Sequence, residues 1–279
     1  MTGQTGELTL DHSGHFIAEE AAARRALEAL GFSVTPFSAQ VAPDPETGQA
    51  RLTGTGNICV MLGQGYLEFL LHTADTALGR EFRAALERRA GLHLAAFGSI
   101  DAASDHARLT AAGVAMRPLV HFSRMVATPE GEERAAFTVA RLAEGAMPEG
   151  RVQIVTHHNP GALWQPRWMT HPNGARALRG LVVSAPDPAE ARARFARVLG
   201  QGLAGGALDF LPEGEALVLT GQALETGRAA FAALRIGVED LDGMERRALA
   251  AGLEARREGA VLVVPFDPAL GRGAWIFER

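Results

Sequence analysis

"LTLDHSGHFIAEEAAARRALEALGF", residues 8–32, reads as a strand running into a helix with a marked stop. Residues 8–16 have strand character, which puts His12 on one face with Leu10 and Gly14 and turns His15 to the other. From Ile17 to Leu30 the apolar residues return at helical spacing, and Gly31 supplies a left-handed helix end. Three strand-like runs follow, "FSVTPFSAQVA", "NICVMLG" and "YLEFLLHT", the last two joined at the tight-turn signal "GQG". The order is strand, helix, strand, strand, strand.

Working outward, the same order returns. "LHLAAFGSI", the helical "DAASDHARLTAA" ending at Gly113, "VAMRPLVHFSRMVA", "RAAFTVARL" and "RVQIVTH" form a second βαβββ module. A third starts at "ALRGLVVSA", with helix "DPAEARARFARVL" stopping at Gly200 and strands "ALDFL" and "EALVLTG". It is shortened, with no fourth strand placed. The fourth comprises "AALRIGVED", "LDGMERRALAA", Gly252, "LEARREG", "AVLVVPF" and "GAWIFER". "LGREFRAALERRAG" is a helix joining modules one and two. The Pro-, Gly- and Asn-rich segment Thr156–Ala175 separates modules two and three, which divides the chain into residues 1–172 and 173–279. The fold class is α+β.

The 279 residues are 47% hydrophobic and 21% charged, ordinary for a globular protein. A net charge of −5 gives no basic footprint for nucleic acid. No apolar run approaches a membrane span, and "MTGQTGELTLDH" lacks the regions of a signal peptide. A cytoplasmic protein is expected. The single cysteine, Cys59, excludes an intrachain disulfide and reads as a buried core residue.

Asp11-His12, "ALEALGF" (26–32), "GTGN" (54–57), "GQGYLEFL" (63–70) and "HPNGA" (171–175), set in these modules, resemble the vicinal-oxygen-chelate superfamily and its glyoxalase-like domain proteins. The resemblance implies that modules pair into curved, barrel-like mixed sheets with helices outside. It also implies a small-molecule pocket in each pair, with metal ligands drawn from first and fourth strands. His12 and Glu68 stand at such positions, and His and Glu suit Zn²⁺, Mn²⁺, Ni²⁺ or Fe²⁺. Laying "GYLEFLLH" over "GRVQIVTH" puts Gln153 opposite Glu68. Leu94 falls at the second histidine's position, with His93 turned to the opposite face unless a bulge intervenes. His12 with Glu68 therefore reads as a metal site, a metal-free acid–base or binding pair, or a structural hydrogen bond. No histidine follows His171, so the second module pair cannot carry an extradiol dioxygenase site; it reads as a structural or dimerising half.

Of the adjacent His157 and His158, register points His157 into the cavity. Asn57, Tyr66, Gln153, Trp164, Arg167 and Trp168 are the expected substrate contacts, with the two tryptophans as a lid, or as cement between the halves, and Arg167 as an anchor for a carboxylate or carbonyl. Glu68 and His157 are the expected proton-moving residues. Two functions follow: a glyoxalase-like lyase or isomerase acting on a small carbonyl or vicinal-oxygen compound, with one divalent metal or none, and a metal-free small-molecule binding or sequestering protein. An interaction protein that forms a homodimer through the second half is a third.

Overall fold

Strand, helix and three strands recur in the computed structural model, which describes residues 7–44 and 47–279. Module one comprises β1 (Thr9–Phe16), α1 (Glu20–Ala29), β2 (Ser38–Pro43), β3 (Ala50–Met61) and β4 (Tyr66–His72). The connecting helix α2 (Ala77–Arg88) leads to β5 (Gly91–Gly98), α3 (Ala102–Ala111), β6 (Val120–Thr128), β7 (Gly131–Arg141) and β8 (Arg151–His157). Module three has β9 (Ala175–Ala185), α4 (Pro188–Leu199), the one-turn α5 (Leu203–Gly206), β10 (Leu208–Pro212) and α6 (Glu213–Thr220). Module four has β11 (Ala230–Val238), α7 (Leu241–Ala250), β12 (Arg256–Glu258), β13 (Val261–Pro265) and β14 (Ala274–Glu278). Residues 1–6, on which the reading of no signal peptide partly rests, lie outside the described residues. No helix among the described residues is long and apolar enough to cross a membrane.

Local chemistry sets the helix ends. The carboxylates of Asp101, Asp187 and Asp240 each accept backbone N–H groups at the start of α3, α4 and α7, donors the helix itself leaves unpaired. Just beyond α1, Gly31 adopts φ +80°, a conformation that a side chain resists.

The first half forms one eight-stranded sheet, ordered β2-β3-β4-β1-β5-β8-β7-β6. Each module closes on itself through a parallel pair, β1 with β4 and β5 with β8, and antiparallel β1 and β5 join the two modules. The free strands β2 and β6 approach each other, so the sheet curls into a nearly closed barrel. The second half forms a six-stranded sheet, β10-β9-β11-β14-β13-β12.

Alternation sorts the side chains. On the outer face Leu67, Phe69 and Phe97 join Leu27 of α1 and Leu109 of α3. Leu181, Leu234, Trp275 and Phe277 of the second sheet, with Phe195 and Met244 of its helices, belong to the same core. The two sheets thus share one apolar layer. The opposite face of the first sheet carries Phe16, Leu70, Leu94, Phe137 and Val155 and is partly covered by Phe82 of α2.

The structure corrects two expectations. "EALVLTG", read as a strand, is helix α6, and it packs Ala216 against Val182, Val263 and Ile276 on the face turned away from the shared core. A short apolar run fits helix or strand equally by pattern; here the shortened module leaves no strand neighbour for it. The inner face of the second sheet is thereby filled. The second correction is a register slip: Leu10 pairs with Phe97 but His12 pairs with Ala96. This bulge at Asp11 sends Leu10 into the shared core and His12 to the inner face, so the two do not share a face.

Gly14 faces Leu94 across β1 and β5, and a Cβ added to it would meet the Leu94 Cβ at 2.8 Å. Gly14→Ala is expected to lower stability by about 1–3 kcal/mol, because neither strand has room to yield. Urea unfolding with an unchanged midpoint would refute this.

Candidate functional site

The inner face of the barrel encloses a cavity of about 650 Å³. Its polar end is built across adjacent strands. Ala96 of β5 lies between His12 of β1 and Gln153 of β8. Cys59 of β3 pairs with Glu68 of β4, and Arg141 of β7 pairs with Gln153. All of these except Ala96 line the cavity, together with Asn57, Tyr66 and Arg151.

His12 is held on three sides. Its Nδ1 lies 2.6 Å from Asp11 Oδ1, and the Tyr66 ring stacks on it at 4.3 Å between centroids. Its Nε2 points to Gln153 Nε2 at 3.5 Å and Glu68 Oε2 at 3.9 Å. Burial raises the pKa of Asp11, but hydrogen bonds and attraction from His12 and His157 outweigh it and hold the carboxyl well below its usual range. An ionised carboxylate only accepts, so Nδ1 of His12 carries the hydrogen, and Nε2 is the ring nitrogen turned to the cavity. Glu68, buried within an apolar strand, is satisfied from the other side: Gln40 Nε2 and Asn57 Nδ2 donate to its Oε1 at 3.0 and 2.5 Å.

The structure brings His12, Asn57, Tyr66, Glu68 and Gln153 together. His157 sits one step behind them. Its Nε2 donates to Asp11 Oδ1 at 3.1 Å, and its ring packs edge-on against Trp164, Phe137 and Tyr66, outside the cavity wall. Trp164 and Trp168 pack with Cys59, Met61 and Tyr66 where β3 ends and β4 begins, and Leu163 is the neighbour that reaches the cavity. The Arg167 guanidinium donates to Gln165 and to the Ala127 carbonyl and lies over the Trp168 ring, away from the cavity. None of these three side chains lines the cavity. Beyond them His171 accepts from Ser33 N and donates to the Met61 carbonyl.

Two departures concern histidines and arginines. The bulge that the sequence left open does occur in β5, where Gly14 pairs with Leu94 and His15 with Leu92. His93 is turned to stack on Phe16, with Nε2 donating to the Arg89 carbonyl, and Leu94 remains the residue facing the cavity. Arg141, Arg151 and Gln40 were not anticipated. Strand parity would have found Arg151, two residues from Gln153 on β8 and therefore on its face.

A family model described as a glyoxalase-like domain matches residues 10–199. No curated protein matches in sequence. Among solved structures, a hypothetical protein from Staphylococcus aureus is similar at TM-score 0.62 and 9% identity, covering 97% of this chain and 99% of its own. A variant of 4-hydroxymandelate synthase from Streptomyces coelicolor is similar at TM-score 0.53 and 14% identity, over 98% of this chain and 93% of its own. The Mn(II)-bound glyoxalase from Novosphingobium aromaticivorans is similar at TM-score 0.52 and 10% identity, over 98% of this chain and 82% of its own. Such low identities speak to the fold alone. With paired βαβββ modules, a nearly closed barrel and a family match across most of its length, the chain belongs to the glyoxalase-like domain family of the vicinal-oxygen-chelate superfamily.

Proposed function

We propose that this protein acts on a small carbonyl or vicinal-oxygen compound in the cavity of its first half, moving a proton with His12. The observation that carries this reading is the Asp11–His12 pair. A carboxylate on Nδ1 fixes the ring and favours the tautomer with a free Nε2, the arrangement a general base requires. Glu68, 3.9 Å away, is placed to receive or return the proton. The amides of Asn57 and Gln153 line the cavity on either side and suit a carbonyl or hydroxyl oxygen.

A divalent ion of the kind the Novosphingobium glyoxalase holds would need more than these walls offer. Catalytic sites for such ions draw on three protein ligands. Here His12 and Glu68 supply two, Gln153 adds only a neutral carboxamide, and Leu94 lines the wall where another donor is wanted. Among the described residues no three His, Cys, Asp or Glu side chains gather to hold an ion. That donor set does not fit a tightly held metal, so the proton transfer is assigned to the side chains themselves.

The test is deuterium exchange at the carbon beside the carbonyl, followed by NMR across a panel of small ketones and hydroxyketones. Wild type in chelator is expected to catalyse exchange, and His12→Asn to lose at least 100-fold. Equal rates in the two proteins would sink the reading. Elemental analysis of wild type and Glu68→Ala runs alongside: near-stoichiometric metal, lost in the variant, would overturn the metal-free form. The second reading, a binding or sequestering protein, is favoured by the three neutral amides of Gln40, Asn57 and Gln153 at the polar end. It predicts tight ligand binding with no exchange.

A further inference from the structure

Arg141 of β7 lines the cavity. Its Nε is buried without a partner, and no side-chain hydrogen bond or ion pair of Arg141 occurs among the described residues. A buried cation without a partner is costly, and such groups are kept where they are used. Arg151 lines the same cavity two residues from Gln153, with Glu81 as its nearest carboxylate at 3.9 Å. The arginines at the rim are answered: Arg51 by Asp44 at 3.2 Å and Arg80 by Asp75 at 3.4 Å.

We propose that Arg141 and Arg151 form an anion subsite, and that the natural ligand carries a carboxylate. The inference rests on reading this cavity as the ligand site. Guanidinium groups present paired N–H donors that match a carboxylate. Charge favours a monoanion over phosphate. Glu81 offsets Arg151, and Glu68 is the cavity's own negative group beside Arg141. With those two carboxylates already set against the two guanidiniums, a singly charged group adds less uncompensated charge than a doubly charged phosphate. Burial, with the nearby Arg151 and Arg117, pushes Arg141 down to about 10, so it stays protonated at neutral pH. Gln153 pairs with Arg141 across the strands and reaches His12 at 3.5 Å. A bound carboxyl group therefore sits beside the proposed base, and the rest of the ligand meets Phe122 and Phe137.

The experiment is calorimetric binding at pH 7 with two probes of one shape, 3-phenylpropanoate and 3-phenylpropanamide. The carboxylate is expected to bind at least tenfold more tightly. Arg141→Met should erase that preference while leaving the amide's Kd unchanged, and Arg141→Lys should restore part of it. Equal Kd values for the two probes in wild type, or no binding of either, would overturn the proposal, as would a preference surviving in Arg141→Met. The melting temperature of Arg141→Met separates ligand holding from support of the fold. A Tm at or above wild type is expected, and a fall of many degrees would count against the proposal. Binding is read without turnover, so a failed exchange assay leaves this result standing; His12→Asn should keep the carboxylate preference.

Discussion

Acidification from pH 6.5 to pH 4.5 is expected to remove on the order of 5 kcal/mol of folding stability, through His15 and His93. His15 is fully buried between the halves, ringed by Phe69, Phe266 and Trp275, and neither ring nitrogen has a partner among the described residues. Burial, then repulsion from Arg89 and His93, pushes its pKa down to about 3. His93 is likewise pushed down to about 3 by burial and by Arg89. Each folded-state value lies below the unfolded one near 6.5, so between the two the unfolded chain binds more protons. Stability is therefore complete above about pH 6.5 and falls as the pH drops, by roughly 1.4 kcal/mol per unit for each group. Urea midpoints measured from pH 7 to pH 4 should show this slope, and His15→Leu should halve it. A flat profile in wild type would contradict the burial of both rings.

The second large effect lies at Glu149 and Arg194. Glu149 is 2% exposed, in the turn before β8, and it pairs with Arg194 of α4 across the two halves. Arg194 also holds Glu190, and these carboxylates raise its pKa against the pull of burial. Arg194→Met is expected to destabilise by about 3–5 kcal/mol, because a carboxylate is left buried without its cation. Adding Glu149→Gln should recover most of the loss, since the remaining amide carries no charge. A double-mutant cycle in urea checks both steps. A single-variant cost below 1 kcal/mol, or no recovery in the pair, would show that the ion pair does not tie the halves.

Much of this architecture was legible because the repeat is written in backbone requirements. Gly31, Gly113, Gly200 and Gly252 each follow a helix with positive φ, and each marks the same point in its module. His12, Glu68, Tyr66, Asn57 and Gln153 were legible through strand parity and the family resemblance. What escaped depended on contacts distant in sequence. The bulges at Asp11 and His93 are set by strand pairing and not by residue type, and each shifts one histidine relative to simple alternation. His157 was assigned to the right sheet face, but Asp11 draws its ring back from the cavity. Trp164, Arg167 and Trp168 belong to two separate short turns whose direction no periodicity announces. Arg141 and Arg151 were not singled out in the sequence, although both occupy inward positions. α6 escaped because eight apolar-rich residues carry no decisive period.

The meeting of β2 and β6 has a mechanical consequence. Every other junction around the first sheet is laced by ladder hydrogen bonds, whereas these two edge strands face each other as neighbours in space without strand pairing. Val41 of β2 and Val120 and Phe122 of β6 line the cavity along this seam. Parting it separates side chains and severs no ladder bond, so the wall has a built-in line of weakness, like the slit in a split ring. Strain on the ring should open it there first, with the β1–β5 joint opposite acting as the spring. The amides on the facing edges of β2 and β6 should accordingly trade hydrogen with water faster than those of the laced junctions.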